Sequence, residues 1–353
     1  MTAPAAISHE QLLAYHNRHA WQPFTQMKLA PEPVFIERGQ GSTLYTREGK
    51  AIIDGIGSWW VNVHGHSNPT MNAAIAEQME RIEHVIYAGL AHEPATVLAA
   101  RLSGTTGERL PRVFYSDNGS TAVEIGLKMA FQYFSNRGES ERCEFVALGD
   151  GYHGDTIGTM SVGARSVFHE MYAPLLFPVH LLPTPRAPFE VFRDRDAEAL
   201  EHLAPALDAF KKLLAERGDK ICGIIVEPVV QGASAAFNMY PPVFLKEVRR
   251  LCDEYGAFLI SDEVFTGCGR TGTFYATEHA DIWPDILCIS KALSGGYLPF
   301  AATLQAHALT RPQHDRHPAG LRGGAGQPGS NRSGRAARLR AGARLRGGPS
   351  RSP

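Results

Sequence analysis

The spacing of apolar residues changes period along the chain, and each change marks an element. Residues 34–54, VFIERGQGSTLYTREGKAIID, alternate short apolar runs with the turn signals Arg38-Gly39-Gln40-Gly41 and Glu48-Gly49-Lys50, which predicts a small antiparallel meander. Over 72–86, Ile75, Met79, Ile82 and Ile86 recur at spacings of three and four, predicting an amphipathic helix; a second helix is expected over 94–102. Residues 112–116, RVFYS, read as a strand that runs through a Gly-Ser turn into a helix with Val123, Leu127, Ala130, Phe131 and Phe134 on one face. Strand-length apolar runs follow at 145–148, 221–226, 258–260 and 286–289, with a helix over 242–255. Strands alternating with helices in this way imply an α/β fold, a mostly parallel sheet covered by helices on both faces. Trp59 and Trp60 follow the meander in a glycine-flanked stretch. On an extended backbone neighbouring side chains point opposite ways, so one is expected in the core and the other against a pocket.

A chain of 353 residues suits one large domain or two and has ample length for a core. Its 44% apolar content is ordinary for a soluble protein. No apolar run approaches the roughly 18 to 20 residues of a membrane helix. The first residues lack the basic start and apolar core of a secretory signal. Cys143, Cys222, Cys252, Cys268 and Cys288 are scattered, odd in number and form no C-x-x-C pair. That pattern argues against a disulfide framework or zinc site and fits a reducing, cytoplasmic setting. His64 and His66 have no third ligand near them in sequence, so no metal is expected. The net charge of −1 hides an asymmetry: from Arg311 onward ten arginines and one acid, Asp315, give +9, which leaves about −10 on the rest.

Candidate chemistry sits where the strands end. The runs at 258–260 and 286–289 lead to Asp262 and Lys291, and in an open α/β sheet ligands gather at the carboxyl ends of the strands. A lysine that forms an imine and a carboxylate that keeps a heterocyclic nitrogen protonated are what pyridoxal phosphate requires of a protein. Taken alone, an Asp after a strand is as often a helix cap, and a lone Lys a solvated charge. The strand–Gly119-Ser120-Thr121–helix junction has the form of an anion site, with free N–H groups and the helix dipole facing the turn, although an ordinary capped helix start reads the same way. Tyr152, in the glycine-rich run GDGYHGDT, is placed to lay its ring against a planar cofactor. The 221–226 run ends in Glu227-Pro228, with Gln231-Gly232 beyond.

The motifs WQPFTQMK, DGIGSWWVNVHGH, RVFYSDNGSTAVEIGLKMAFQY, GDGYHGDTIGTMSVG, IIVEPVVQGA, ISDEVFTGCGRTG and ISKALSGGYLPFAATL run in order from Trp21 to about Leu304. Together they resemble the class III pyridoxal-phosphate aminotransferases of fold type I, and within them the 7,8-diaminopelargonic acid synthase subfamily of biotin biosynthesis. The resemblance implies an N-terminal segment with the meander (1–66) and a large cofactor-binding α/β domain (67–304). It makes Lys291 the imine lysine and proton carrier, with Asp262 on the pyridine nitrogen. Gly119 and Ser120 would hold the phosphate, and Tyr152 would lie on the ring and touch substrate. Glu227 and Gln231 would stand near the cofactor, while Trp59, Trp60 and Phe24 would line the substrate pocket. Phe24 stands where many relatives have tyrosine, so that hydroxyl is absent here. The implied reaction is ping-pong amination of 7-keto-8-aminopelargonic acid, with S-adenosylmethionine or lysine as donor, in a cytoplasmic homodimer. Another ω-amino-acid transaminase or aminomutase is the alternative within the class, and Trp59-Trp60 favours the first reading. Outside it stands a non-catalytic product that binds pyridoxal phosphate.

After Leu304 the likeness ends. Residues 305–353 are rich in Arg, Gly, Ala and Pro, a composition that cannot bury a core and predicts no regular structure. The abrupt loss of pattern reads as an out-of-frame translation, with the family's C-terminal small domain missing. A nucleic-acid arm would carry interleaved aromatics, which this stretch lacks, so no nucleic-acid partner is expected.

Overall fold

The computed structural model describes residues 7–165, 169–192, 195–232, 237–306 and 309. In chain order the elements begin with α1 (His9–His19), β1 (Ile36–Gln40), β2 (Thr43–Thr46), β3 (Ala51–Ile53), α2 (Gly57–Trp60), α3 (Pro69–Met79) and α4 (Glu93–Thr105). The central stretch runs through β4 (Arg112–Ser116), α5 (Gly119–Asn136), β5 (Glu144–Leu148), α6 (Ile157–Val162), β6 (His180–Leu182), α7 (Asp196–Arg217) and β7 (Ile221–Val226). It closes with β8 (Val230–Gln231), β9 (Asn238–Met239), α8 (Val243–Tyr255), β10 (Phe258–Asp262), β11 (Ile286–Ile289) and β12 (Ala301–Gln305).

The predicted meander forms: β1, β2 and β3 pair antiparallel in a three-stranded sheet. The main sheet has seven strands in the order β4-β12-β11-β10-β7-β5-β6. β12 runs antiparallel to both its neighbours, and the other pairings, β11 to β10, β10 to β7, β7 to β5 and β5 to β6, are parallel. Every residue of β7, β10 and β11 is buried, as their unbroken apolar runs require of strands covered on both faces. Alternation along these strands sorts side chains between the two layers. Ile260, Ile286 and Cys288 press on α5 at Gly126, while Leu259 belongs to the core under α7 and α8 and Leu287 and Ile289 to a smaller cluster with Leu102, Leu110 and Tyr275.

Two predictions along the chain need correction. The helix expected over 72–86 instead spans Pro69–Met79, started by Asn68, whose side chain accepts from the N–H groups of Thr70 and Met71, with Pro69 in the first turn. Ile82 and Ile86 are exposed, so the apolar spacing past Met79 lacks the burial that holds a helix together. At Trp59 and Trp60 the backbone is not extended: Ser58, Trp59 and Trp60 have φ of 46°, 64° and 69°, three successive left-handed residues. The longest helix, α7, was not among the predicted elements; Pro205 in its interior obscures the period, yet Leu203, Leu207, Phe210 and Leu214 bury one stripe. The Arg-rich tail lies outside the described residues.

One side chain fastens β10 to β11. Asp285, just before β11, accepts at Oδ2 from the Leu259 N–H (2.8 Å) and from Arg249 of α8 (2.7 Å), and its own N–H donates to the Leu259 carbonyl (2.9 Å). Replacing Asp285 with alanine strands a buried N–H and leaves Arg249 with Asp253 as its remaining carboxylate. Asp285→Ala is therefore expected to lower unfolding stability by about 2 kcal/mol. A lower urea midpoint at unchanged slope checks it, and an unmoved midpoint refutes the role.

Candidate active site

Asp262 is the last residue of β10, Lys291 lies two residues past β11, and the register sets Asp262 beside Cys288. Glu227 follows β7, Tyr152 follows β5, and Gly119 and Ser120 follow β4. Because these strands are parallel, all six residues leave the sheet at one edge and line one cavity of about 670 Å³.

Asp262 is 4% exposed, and a charge so deep needs partners. Its Oδ2 lies 2.7 Å from Nδ1 of His153, which is equally buried, and its Oδ1 accepts from the Val264 N–H at 3.0 Å. Burial opposes a charge on His153, but the hydrogen bond and the charge of Asp262, reinforced by Glu227, win and raise its pKa. Lys291 is held below the usual lysine range, first by burial and further by Arg270, with Asp262 and Glu227 opposing. Its backbone has φ 44°, a strained conformation at the foot of the amine. Nζ stands 5.7 Å from the centre of the Trp60 ring.

At the start of α5 the Asn118 side chain accepts from the Thr121 N–H and the Thr121 hydroxyl accepts from the Asn118 N–H. This leaves the first N–H groups, those of Gly119 and Ser120, for an anion. Glycine is required at 119: a Cβ there would lie 2.5 Å from Cγ1 of Val264. Gly154, with φ +128°, lets the Tyr152 loop pass over Ser120, whose Oγ a Cβ would meet at 2.1 Å; the Asp155 N–H then donates to that Oγ at 3.3 Å. The Tyr152 hydroxyl donates to Asp155 Oδ2 at 2.9 Å, and burial and that carboxylate push its pKa up.

Glu227 acts on loops. One carboxylate oxygen accepts from the Tyr152 N–H (2.9 Å) and the other from the Gly232 N–H (3.0 Å). Gln231 lies one layer farther back, donating to the Gly149 carbonyl (2.8 Å) and accepting from Asn238 (3.0 Å). Trp60 packs edge-on against Phe265 (4.9 Å) and Phe237 (6.0 Å). Trp59 stacks on Phe24 at 5.9 Å, both well exposed and outside the cavity lining. His66 is taken up by Asp54 (2.8 Å) and Asn62 (3.3 Å), and among the described residues no group of His, Cys, Asp and Glu is arranged for a metal.

Three residues of this site carried no role in the sequence reading. His153 sits in the GYHG run beside Tyr152, where the imidazole next to a pocket aromatic was the available signal. Asp155, two residues on, receives the tyrosine hydroxyl. Arg270, in GCGRTG, donates to the Trp60 carbonyl (2.6 Å) and the Phe265 carbonyl (2.8 Å), and no carboxylate pairs with it among the described residues. Only the fold brings it there, from 210 positions away.

Burial raises the Glu227 pKa to about 7, with Asp262 adding to the rise and His153 and the two N–H donors opposing it. A carboxyl raised on folding binds its proton more tightly in the native state. Its contribution to stability is full below the ordinary carboxyl range and is lost as pH rises through about 7. Denaturant midpoints of wild type and Glu227→Gln are thus expected to diverge in favour of the variant as pH climbs from about 4.5 to 8. A difference independent of pH contradicts this.

A family model for class III aminotransferases matches residues 25–320. The adenosylmethionine-8-amino-7-oxononanoate aminotransferase of Staphylococcus aureus is 42% identical over 85% of this chain and 66% of its own length. That of Synechococcus elongatus is 45% identical over 82% of this chain and 66% of its own length. Among solved structures, the adenosylmethionine-8-amino-7-oxononanoate aminotransferase of Methanocaldococcus jannaschii superposes with a TM-score of 0.77 at 35% identity, over 85% of this chain and 66% of that one. An amine transaminase from an uncultivated Pseudomonas species, in a PLP-bound form, gives 0.74 at 34% identity, over 85% and 71%. The chain spans about two thirds of the length of the curated relatives it matches. With a lysine, a carboxylate and a helix N-terminus meeting at the carboxyl edge of the sheet, and this likeness across most of the described residues, the chain belongs to the class III aminotransferase family.

Proposed function

We propose that this chain binds pyridoxal 5′-phosphate and transfers an amino group to 7-keto-8-aminopelargonic acid, forming 7,8-diaminopelargonic acid for biotin synthesis. The observation that carries the reading is the convergence of Lys291, Asp262, Tyr152 and the Gly119-Ser120 turn on a single cavity. The residues present fit that cofactor. Asp262 is a buried acceptor for a ring N–H, Gly119 and Ser120 offer N–H groups to a phosphate, Tyr152 offers a flat wall, and Lys291 a partly desolvated amine. When bound, the cofactor supplies a carbonyl carbon open to amines and a ring that withdraws electrons.

The chain's own groups supply the rest. Lys291, held below the usual lysine range, is free to take a proton at Nζ and return it, the work of a general base and acid. Asp262 is held in place by His153, whose Nδ1 lies 2.7 Å from its Oδ2. Glu227 ties the Tyr152 loop to Gly232 by accepting one backbone N–H from each, and Phe265 of the cavity lining packs edge-on against Trp60. The names borne by the relatives favour S-adenosylmethionine over lysine as donor.

Pairing of two copies is part of the proposal, supported by the exposed apolar side chains Ile82, Ile86, Tyr87 and Leu90. Sedimentation at twice the chain mass of 38.5 kDa is the expected outcome, and a monomer contradicts it.

The decisive experiment treats the purified chain with pyridoxal 5′-phosphate and borohydride, locates the attached group by mass spectrometry, and then measures turnover of the keto acid. Label is expected on Lys291 and none in Lys291→Ala, with turnover at least about 10²-fold lower in the variant. Label elsewhere refutes the site. Labelling of Lys291 without turnover refutes the reaction while leaving the cofactor in place.

A further inference from the structure

His169 is used by none of the chemistry above, yet it is buried to 2% exposure directly behind the pocket tyrosine. It directly precedes the short turn Glu170–Leu175 and does not line the cavity. Its imidazole lies nearly parallel to the Tyr152 ring, 15° apart with centres at 5.8 Å. Each of its nitrogens faces an oxygen acceptor: Nδ1 the Ala164 carbonyl at 3.2 Å, Nε2 the Asp155 Oδ1 at 3.3 Å. The other oxygen of the same carboxylate, Oδ2, receives the Tyr152 hydroxyl at 2.9 Å. Asp155 is half exposed, so alone it would make a loose anchor. Tied to a buried imidazole, it becomes a fixed one.

The geometry points to His169 as a positioning residue for the pocket wall: it backs the Tyr152 ring face to face and, through Asp155, fixes where the phenol oxygen sits. Among the described residues, the other hydrogen bond that holds the tyrosine is at its backbone N–H, bound by Glu227. Ring plane and hydroxyl direction are degrees of freedom that Glu227 does not touch, and both are restricted by His169. A flat wall held in advance binds a planar ligand without first losing rotamer freedom. This role rests on the reading of Tyr152 as the wall of a pyridoxal-phosphate pocket.

The test uses the full chain carrying ¹³C-labelled tyrosine and aspartate, with Tyr152→Phe and Asp155→Asn assigning the two signals, and pyridoxal 5′-phosphate alone as the ligand. His169→Gln removes the ring and is expected to shift the Tyr152 ring signal before any ligand is added. It should also weaken pyridoxal 5′-phosphate binding about three- to tenfold, the scale of one lost aromatic contact. His169→Phe keeps a buried ring, so it is the variant expected to fold if glutamine is not accommodated; it removes the bond to Asp155 and should shift that carboxylate signal. An unmoved Tyr152 signal in folded His169→Gln, or an unmoved Asp155 signal in His169→Phe, overturns the inference. If wild type binds no pyridoxal 5′-phosphate, the cofactor reading fails while the two signals still decide the role of His169.

Discussion

Giving Asp262 hydrogen-bond partners while it is almost sealed from water is the constraint on which the site depends. A carboxylate buried without partners carries a heavy desolvation cost. The protein meets this with an equally buried imidazole at 2.7 Å and a backbone N–H at 3.0 Å. That pairing in turn ties down the loop after β5, since His153 must reach Asp262 and Tyr152, the preceding residue, lines the same cavity. Glu227 then binds the Tyr152 N–H just ahead of these two side chains. Three acids and bases from three strand ends thereby hold one another in place.

Strained backbone recurs at several non-glycine positions. Lys291, Trp59, Trp60 and Val229 all have positive φ, and for a β-branched valine at 67° this is a true outlier. Such conformations cost about 1 to 3 kcal/mol each and persist only where surrounding structure compels them. At Trp60 the compulsion is visible: Arg270 grips its carbonyl, and Phe265 and Phe237 flank its ring. The arginine that keeps a positive charge near Lys291 also holds the aromatic wall.

Much of this was legible in the chain. Strands 112–116 and 221–226 were predicted with the bounds they have, because apolar runs between turn signals leave little choice of period. Asp262 and Lys291 could be placed at neighbouring strand ends because both strands are short and wholly buried. Other features were hidden for physical reasons. The 72–86 helix stops early because its later apolar positions find no core. The tryptophan pair leaves the extended region through a conformation no propensity favours. Arg270 and His169 gain their positions from contacts made across the fold, and spacing along a chain carries no record of those. Glu227 and Gln231 were expected near the cofactor; they hold the loops and backbone around it.

The contact between Gly119 and Val264 joins the two ends of the pocket. Val264 hangs from the same short turn as Asp262, two residues on, and donates its N–H to that carboxylate, while its methyl groups lie where a side chain at 119 would be. The anion turn and the turn that bears the buried acid thus lie close enough that only glycine fits at 119. A side chain at 119 would push on Val264, and through it on the turn that carries Asp262.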